Sequence, residues 1–594
     1  MHFDALVVRA IAHEWRETLI GGRVDRIFQP DRWSLALIVW NQHANQHVYI
    51  SFNPTHAAVF LAREHKLRSG FEEPTAFVML LRKYLESGRI VGIEQPALER
   101  RIELVCTQRT GETTTLVVEL IGRQSNVILV AEDGTVLGVA RPVTREMSRT
   151  RVILPGRPYI APTGVLVSGE RLDPRLVTEE ELATALGDKE GGLDSDARAR
   201  RLATILAMSP TAAAEAIARA GHGEKESHFL RNLAKAIRDL FAPLVQDSPE
   251  LWQPTVARHE KEVIAFAPYR LTQHEASAVV EHCATMNEAV ERFFVPRSQR
   301  QRIQVRQAEL RARIQPLYER LQRRMTAIEH EITDAQYALQ TRKLGELLLT
   351  YQPKIDQDTV MVDDCETGEP VTIAVDRRLT AVQNGQRYFA RYARAKRAMS
   401  ILEPQREALS IEAAFLSQLL FDIAAAETAE EVERVQREIA VSGVLKDELH
   451  KRQSRRPINV RQQKERSVQP VASLPEECIV GGFHVSWGKT SRANDTLTFT
   501  IAAKRDIWLH AKGVPGAHVV IHSRGQPVPE DVLVQSAQLA AYYSGCRGEG
   551  QALVDYTEVG KVRRQASGKP GLVWYTGERT LAVVPQLPCT REQT

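Results

Sequence analysis

Residues 301–349 read QRIQVRQAELRARIQPLYERLQRRMTAIEHEITDAQYALQTRKLGELLL. Apolar side chains recur at Ile303, Leu310, Ile314, Leu317, Leu321, Met325, Ile328, Ile332, Ala335 and Leu339. The steps are mostly alternating fours and threes, which keeps one stripe on one side of a helix. Arg, Gln and Glu fill the other faces. The pattern returns from about Tyr388 to Leu445, with Ile401, Leu409, Phe415, Leu416, Leu419, Ile423, Val432, Val435 and Ile439. Two such stripes joined by a short insert predict an antiparallel coiled-coil hairpin. At 1.5 Å per residue, roughly 50 residues make an arm of about 75 Å, longer than a compact domain is wide. A helical bundle inside one globular core is the competing reading, and the low aromatic content and high charge density of both halves disfavour it. Pro316 removes a backbone donor and predicts a bend in the first helix.

Working outward, the sequence between the arms (353–383) is punctuated by Pro353, Gly368 and Pro370 and reads as a small β insert. Its Asp363-Asp364-Cys365-Glu366 run is a solvated acidic turn before it is a metal site. Upstream, residues 4–20 predict an amphipathic helix with Leu6, Val7, Ile11, Trp15 and Leu19 inward, ended by Gly21-Gly22. Strands follow at 23–30, 34–40, 47–52, 89–95, 101–107, 115–121, 126–133 and 135–140, with a helix opened by Pro74. Residues 170–295 read as mostly helical, with a turn at Met208-Ser209-Pro210 between two helices. Such a turn can seat a phosphate on the second helix, although it lacks the usual Gly-x-Gly. Beyond the hairpin, strands are expected at 483–489, 496–503, 506–512, 517–523, 552–564 and 572–577, and a helix at 532–545. Trp487, Trp508 and Trp574, mixed with Lys489, Arg492, Lys504, Arg505 and Lys512, suit either a core or stacking on RNA.

The 594 residues suffice for several domains, and 43% apolar with 26% charged residues describes a soluble globular chain. No run of about 18 apolar residues stands out, so neither a membrane span nor secretion is expected. Six cysteines without a CxxC fit reduced thiols. Net charge is only +4. From Lys451 to Arg466, however, seven basic residues face one acid, Glu465, which reads as a basic linker suited to phosphate. His510, His518 and His522 have no acid or cysteine at ligand spacing. Enzyme signatures of the GxxxxGK[ST], HExxH and GxSxG kinds are missing. One constellation in the N-terminal domain combines acids with arginines: Asp4, Glu99, Arg100, Arg101 and Gly122-Arg123-Gln124-Ser125-Asn126. It could do acid–base work, hold a nucleotide, or be a structural ion pair.

Lys504-Arg505-Asp506-Ile507-Trp508-Leu509-His510-Ala511-Lys512, with Pro515 to Ile521, Val554-Asp555-Tyr556-Thr557 and Gly568-Lys569-Pro570-Gly571, resembles the NFACT-R signature. Phe3-Asp4, Gly21-Gly22-Arg23-Val24, Phe77 to Lys83 and Gly122 to Asn126 resemble NFACT-N motifs. Met208-Ser209-Pro210 and Asn384 to Phe389 match further positions. The resemblance spans nearly the whole chain, in order, and is to the NFACT family, whose bacterial members are ribosome quality-control factors related to eukaryotic NEMF.

It implies a multidomain α+β protein: a glycosylase-like NFACT-N domain (1–168), a helix-hairpin-helix domain (169–295), the coiled-coil hairpin (296–450), the basic linker (451–470) and an NFACT-R RNA-binding domain (471–594). It implies a cytoplasmic adaptor, not an enzyme, without a cofactor. Its partners would be the large ribosomal subunit (rRNA and stalk base), alanyl-tRNA, peptidyl-tRNA with a stalled nascent chain, and a small RNA-binding protein of the RqcP kind. The product would be an untemplated alanine tail. On this resemblance Asp4, Glu99, Arg100, Arg123 and Asn126 bind tRNA, with Glu99 standing where the family has Asp. Lys504, Arg505, Asp506, Trp508, His510 and Lys512 are the candidates for RNA or ribosome contact. A fibronectin-binding surface adhesin is the alternative; Leu587 to Arg591 brushes against a sorting motif, but Arg stands where it needs Gly. A DNA glycosylase is disfavoured because His2 follows Met1 and no cysteine cluster exists.

Overall fold

The computed structural model describes residues 3–63, 74–96, 98–162, 171–186, 195–221, 226–246, 248–364, 366–445, 474–565 and 568–587. The basic linker, Cys365, Cys589 and the sorting-like tail from residue 588 lie outside the described residues. The chain divides into two compact units, 1–299 and 300–594.

The first unit opens with α1 (Ala5–Leu19), whose Leu6, Val7, Ile11, Trp15 and Leu19 are all buried. Gly21, at φ +83°, takes the left-handed turn that follows it. Nine strands form one antiparallel sheet: β1 (Arg23–Asp31), β2 (Ser34–Asn41), β3 (Ala44–Ser51), β4 (Ala58–Leu61), β5 (Arg89–Glu94), β6 (Arg101–Thr107), β7 (Thr113–Glu119), β8 (Asn126–Ala131) and β9 (Val136–Val139). The order is β4-β3-β2-β1-β5-β6-β7-β8-β9, with β1 and β5 meeting at Arg23 and Arg89. The helix α2 (Ala76–Leu85) is capped by Thr75, not begun by Pro74, and crosses β9 at Gly138. A methyl group there would sit 2.2 Å from Leu80 Cδ2.

Four helices follow: α3 (Glu179–Leu186), α4 (Ser195–Ile205), α5 (Pro210–Ala220) and α6 (Glu226–Gln246). Residues 255–282 were expected to be helical, but form a sheet of β10 (Thr255–His259), β11 (Glu262–Ala267) and β12 (Val279–His282). The segment is short and its β-branched Thr255, Val256, Val263, Ile264, Val279 and Val280 are a strand signal masked by the helical stretches around it. The unit ends on the first turns of α7 (Met286–Leu339), where Asn287 Oδ1 accepts the Trp15 indole N–H at 3.1 Å.

In the second unit α7 passes Pro316 without leaving helical backbone, and α8 (Thr341–Tyr351) follows. The returning helix α9 (Ala381–Ala425) starts about seven residues before Tyr388, at a capping box made by Thr380 and Gln383. The pairing is antiparallel. Leu310, Ile314 and Leu317 pack with Phe415, Leu416, Leu419 and Ile423, Ile328 and Ile332 with Leu409, and Ala335 and Ala338 with Ala395. Ile401, placed in the seam from sequence, is 57% exposed; Met399 and Leu402 face α7 instead. The helix phase drifts against a strict heptad, so one apolar residue in the run falls outside the stripe. Part of α9 is long and apolar enough to cross a membrane by length and composition, contrary to the expectation that no such run exists. Within it Leu409, Phe415, Leu416, Leu419 and Ile423 are buried, packed on α7 and on the residues 432–439 that follow.

Gly345 and Gly385 let α8 and α9 approach closely, and α8 also packs on the hairpin of β13 (Thr359–Asp363) and β14 (Pro370–Ala374), the expected β insert. After α10 (Ala429–Ser442) comes a six-stranded sheet of β15 (Glu476–Val480), β16 (Phe483–Trp487), β17 (Ile507–Ala511), β18 (Val519–Ile521), β19 (Ala552–Glu558) and β22 (Arg579–Val583) in the order β15-β16-β18-β17-β19-β22. A separate ribbon pairs β20 (Val562–Arg564) with β21 (Val573–Tyr575), and α12 (Glu530–Tyr542) packs on the sheet. The expected strand at 496–503 is instead helical: α11 (Ser491–Thr496) runs into a π-turn at Leu497–Ile501. The β-branched residues favour a strand locally. The Thr490 cap and burial of Leu497 beside Trp508 override them.

Within this unit a polar seam joins α9 and α10 to the C-terminal sheet. Gln418 Oε1 accepts the Gly516 amide at 3.0 Å, Asp422 Oδ2 the Ser491 amide at 3.1 Å, and Glu438 Oε1 the Arg492 amide at 3.1 Å. Lys489 Nζ bridges Glu431 at 2.8 Å and Glu476 at 2.7 Å. Burial pushes the Asp422 carboxyl well up and that of Glu438 to about 7, against the pull of Arg492 on the latter.

Candidate RNA interfaces

In the first unit Asp4 caps α1, its Oδ1 accepting the Val7 amide at 3.0 Å. Its Oδ2 accepts the Ser209 hydroxyl at 2.5 Å. Ser209 in turn caps α5, accepting the Ala212 amide at 3.1 Å. One carboxylate and one hydroxyl therefore stand where two helix N-termini meet, each a cluster of N–H donors with partial positive charge. Gln95 Nε2 donates to the carbonyls of Ala5 and Glu99, both at 2.9 Å, and ties the loop carrying Arg100 to the first turn of α1. Burial raises the Asp4 pKa, while Ser209, the Val7 and Leu6 amides and the Arg100 charge hold it down. Burial lowers the Arg100 pKa, with Asp4 favouring its charge and Arg171 opposing it. The fold thus brings Asp4, the Met208-Ser209-Pro210 turn and Arg100 to one place. Helix amides with a planar guanidinium are suited to phosphate, and the carboxylate to amino or hydroxyl donors.

Glu99 does not pair with Arg100. Its Oε2 lies 3.2 Å from Arg101 Nε, and Arg101 also reaches Glu103 at 2.7 Å and the Tyr159 hydroxyl at 3.4 Å. Tyr159 donates to Glu119 at 2.7 Å, and Arg151 Nη1 to the same carboxylate at 3.1 Å. Neighbouring side chains alternate where β6 begins, so Arg100 and Arg101 serve different partners.

Asn126 is 2% exposed. Its Nδ2 donates to the Arg141 carbonyl at 2.8 Å, and its Oδ1 accepts the amides of Arg141 at 3.0 Å and Val127 at 2.9 Å. Arg141 Nη1 then donates to the carbonyls of Arg123 at 3.0 Å and Ser125 at 2.9 Å. Asn126 is therefore a clamp on the loop, whereas the Arg123 side chain is exposed.

In the C-terminal domain Lys504 and Arg505 are exposed. Asp506 and Trp508 are not, at 1% and 0%. Asp506 accepts the amides of Ala503 at 2.9 Å and Arg524 at 2.8 Å and faces His522 Nδ1 at 3.2 Å, while the other ring nitrogen of His522 meets Ser486 Oγ at 2.8 Å. The Trp508 ring lies among His510, His518 and Tyr575, and burial depresses His510 to about 4 and holds His518 well below the usual imidazole range, so both imidazoles are neutral. His518 Nδ1 is 2.8 Å from the Thr498 hydroxyl. Lys512 is exposed but ion-paired with the buried Asp555 at 3.2 Å. The strand carrying these residues is central, with Leu509 packed on one face and Trp508 on the other. The core reading of the tryptophans thus applies to Trp487 and Trp508, and Asp506 is buried with them. Trp574 alone of the three is exposed, and the alternation of Val573-Trp574-Tyr575 was the available signal.

The chain matches the NFACT N-terminal and middle domains over residues 4–457 and the NFACT protein RNA binding domain over residues 479–577. It is 29% identical to the Rqc2 homolog RqcH of Streptococcus pneumoniae (strain ATCC BAA-255 / R6), covering 98% of both chains. It is 27% identical to the Rqc2 homolog RqcH of Bacillus subtilis (strain 168), again over 98% of both. Among solved structures, the C-terminal part of the fibronectin/fibrinogen-binding protein from Streptococcus suis is 29% identical with a TM-score of 0.35, covering 48% of this chain and 96% of that one.

Proposed function

This chain belongs to the NFACT family, and from that premise we propose that it is a tRNA-recruiting adaptor of ribosome quality control, at work in the cytoplasm. It binds large ribosomal subunits, through rRNA and the stalk base, that still hold peptidyl-tRNA and a stalled nascent chain. It recruits alanyl-tRNA, and the subunit's own peptidyl-transferase centre adds untemplated alanines that mark the chain for degradation. A small RNA-binding protein of the RqcP kind assists. The glycosylase-like N-terminal domain and the helix-hairpin-helix turn bind tRNA and excise no base.

The observation that carries this reading is the extent of the match. Both NFACT segments occur in order, and the similar proteins called Rqc2 homolog RqcH are covered over 98% of their length. The group of Asp4, Ser209 and Arg100 supports the tRNA assignment: helix N–H donors and a guanidinium suit phosphate, and an acid beside them suits ribose or base amino groups. Arg123 adds an exposed cation that Asn126 and Arg141 hold in position.

The test is co-sedimentation with large subunits combined with sequencing of the co-purified tRNA. Enrichment of alanine tRNA on subunit-bound protein is the expected result. Protein confined to the cell surface and absent from subunit fractions would favour the fibronectin-binding adhesin and overturn the adaptor.

A further inference from the structure

The ribbon of β20 and β21 pairs Val562 with Tyr575, Arg563 with Trp574 and Arg564 with Val573. Pleat alternation turns one set inward: Val562 is buried, and Val573 and Tyr575 pack with it around Trp508 and Val520. The opposite set turns outward, so Arg563 and Trp574 are direct cross-strand neighbours on the outer face. Both are exposed, Trp574 at 57%. Arg564 is engaged, 2.8 Å from Asp495 and over the Phe499 ring. Among the described residues Arg563 has no ion pair. The Gly560 amide donates to the Lys504 carbonyl at 2.8 Å, which sets exposed Lys504 beside the turn before β20. Exposed Lys561 runs along Gly577, just after β21, with Glu558 3.9 Å from its Nζ. The ribbon is held at its root, since the Tyr575 hydroxyl donates to Asp555 at 3.0 Å.

An exposed indole beside an arginine also occurs at protein interfaces, but such interfaces are depleted in lysine, and here exposed Lys504 and Lys561 flank the indole. It matches single-stranded RNA: a base has a π-face for the indole, and its phosphates suit the cations. We propose that the outer face of this ribbon is a single-stranded RNA stacking site, with one unpaired base on Trp574 and its flanking phosphates on Arg563, Lys504 and Lys561. The proposal rests on the RNA-binding role above and assigns to Trp574 the stacking that buried Trp508 does not supply.

The test uses the full chain and a fluorescein-labelled uridine dodecamer, read by anisotropy over a salt series. Trp574→Ala is expected to weaken binding about 5- to 150-fold, and Trp574→Phe much less. Arg563→Gln is expected to reduce the slope of log affinity against log salt by about 0.7. Thermal melts matching the parent protein restrict the comparison to folded variants, and the Arg563→Gln salt slope remains decisive if the Ala variant does not fold. Binding within twofold of the parent for Trp574→Ala, or an unchanged salt slope for Arg563→Gln, overturns the site. If those variants bind normally while Arg100→Ala loses tRNA, the ribbon assignment falls and the adaptor reading stands. If the parent protein binds neither the dodecamer nor large subunits, both fall. Loss of subunit co-sedimentation with undiminished dodecamer binding would make the occupant a protein and overturn the RNA assignment.

Discussion

The Ser209 hydroxyl donates to the Asp4 carboxylate at 2.5 Å, joining the caps of two helices that lie 205 residues apart in the chain. Asp4→Ala removes the cap of α1 and leaves the Ser209 hydroxyl without its acceptor. It should cost about 1–3 kcal/mol in chemical denaturation, and Ser209→Ala about 1 kcal/mol. The double variant should cost less than the sum, because the two side chains share one bond. Strict additivity would mean that the bond contributes nothing.

Arg100 sits beside this junction, while Glu99 faces Arg101. Arg100→Ala should therefore abolish tRNA association and leave subunit binding largely intact. Glu99→Asp should change tRNA binding less than threefold because its carboxylate serves the Arg101 network. Pull-down followed by tRNA sequencing checks both; undiminished alanine tRNA with Arg100→Ala would sink the assignment.

Glu438 titrates near 7 in the folded chain against 4.5 for the free side chain, and Asp422 beside it is raised as well. A carboxyl raised by folding binds more protons folded than unfolded. Its contribution to stability is most favourable below about pH 4.5 and declines as pH rises towards 7. Glu438→Gln should flatten this part of the stability curve between pH 5 and pH 8. An unaltered pH dependence of the melting transition would show that the pair remains ionised in the fold.

Much of the architecture was legible because it follows from periodicity and caps. The seam from Leu310 to Ile332, helix α1 and strands β1 to β3 and β5 to β9 all track burial patterns that local sequence expresses. What escaped was set by tertiary context. The 496–503 segment has strand propensity, yet Leu497 is drawn into a core built from Trp508, Val520, Val559 and Val562, all later in the chain. The helix α9 starts at a Thr380–Gln383 capping box that is present in the sequence, but was assigned to the β insert. The acid and arginine group was legible as composition, not as pairing. Asp4 to Ser209 is a contact across 205 residues, and the parting of Arg100 from Arg101 depends on where β6 begins. Trp508 and Trp574 carry the same local chemistry; the central position of one strand and the free outer face of the other distinguish them.

Ile314 is fully buried in the hairpin seam, so Ile314→Ala should cost about 2–5 kcal/mol in the stability of the second unit. Replacing the β insert, residues 353–379, by a short linker leaves this seam intact. That deletion should weaken subunit binding in sedimentation and spare free-tRNA binding. Joint loss of both activities would return the hairpin to a folding role.

The central claim is that this protein directs untemplated alanine addition, and the composition of C-terminal tails on stalled nascent chains tests it most directly. Mass spectrometry of a non-stop reporter from cells with and without the protein should find alanine extensions with it and none without it. Arg100→Ala should behave as the deletion. Identical tails in both strains would contradict the account.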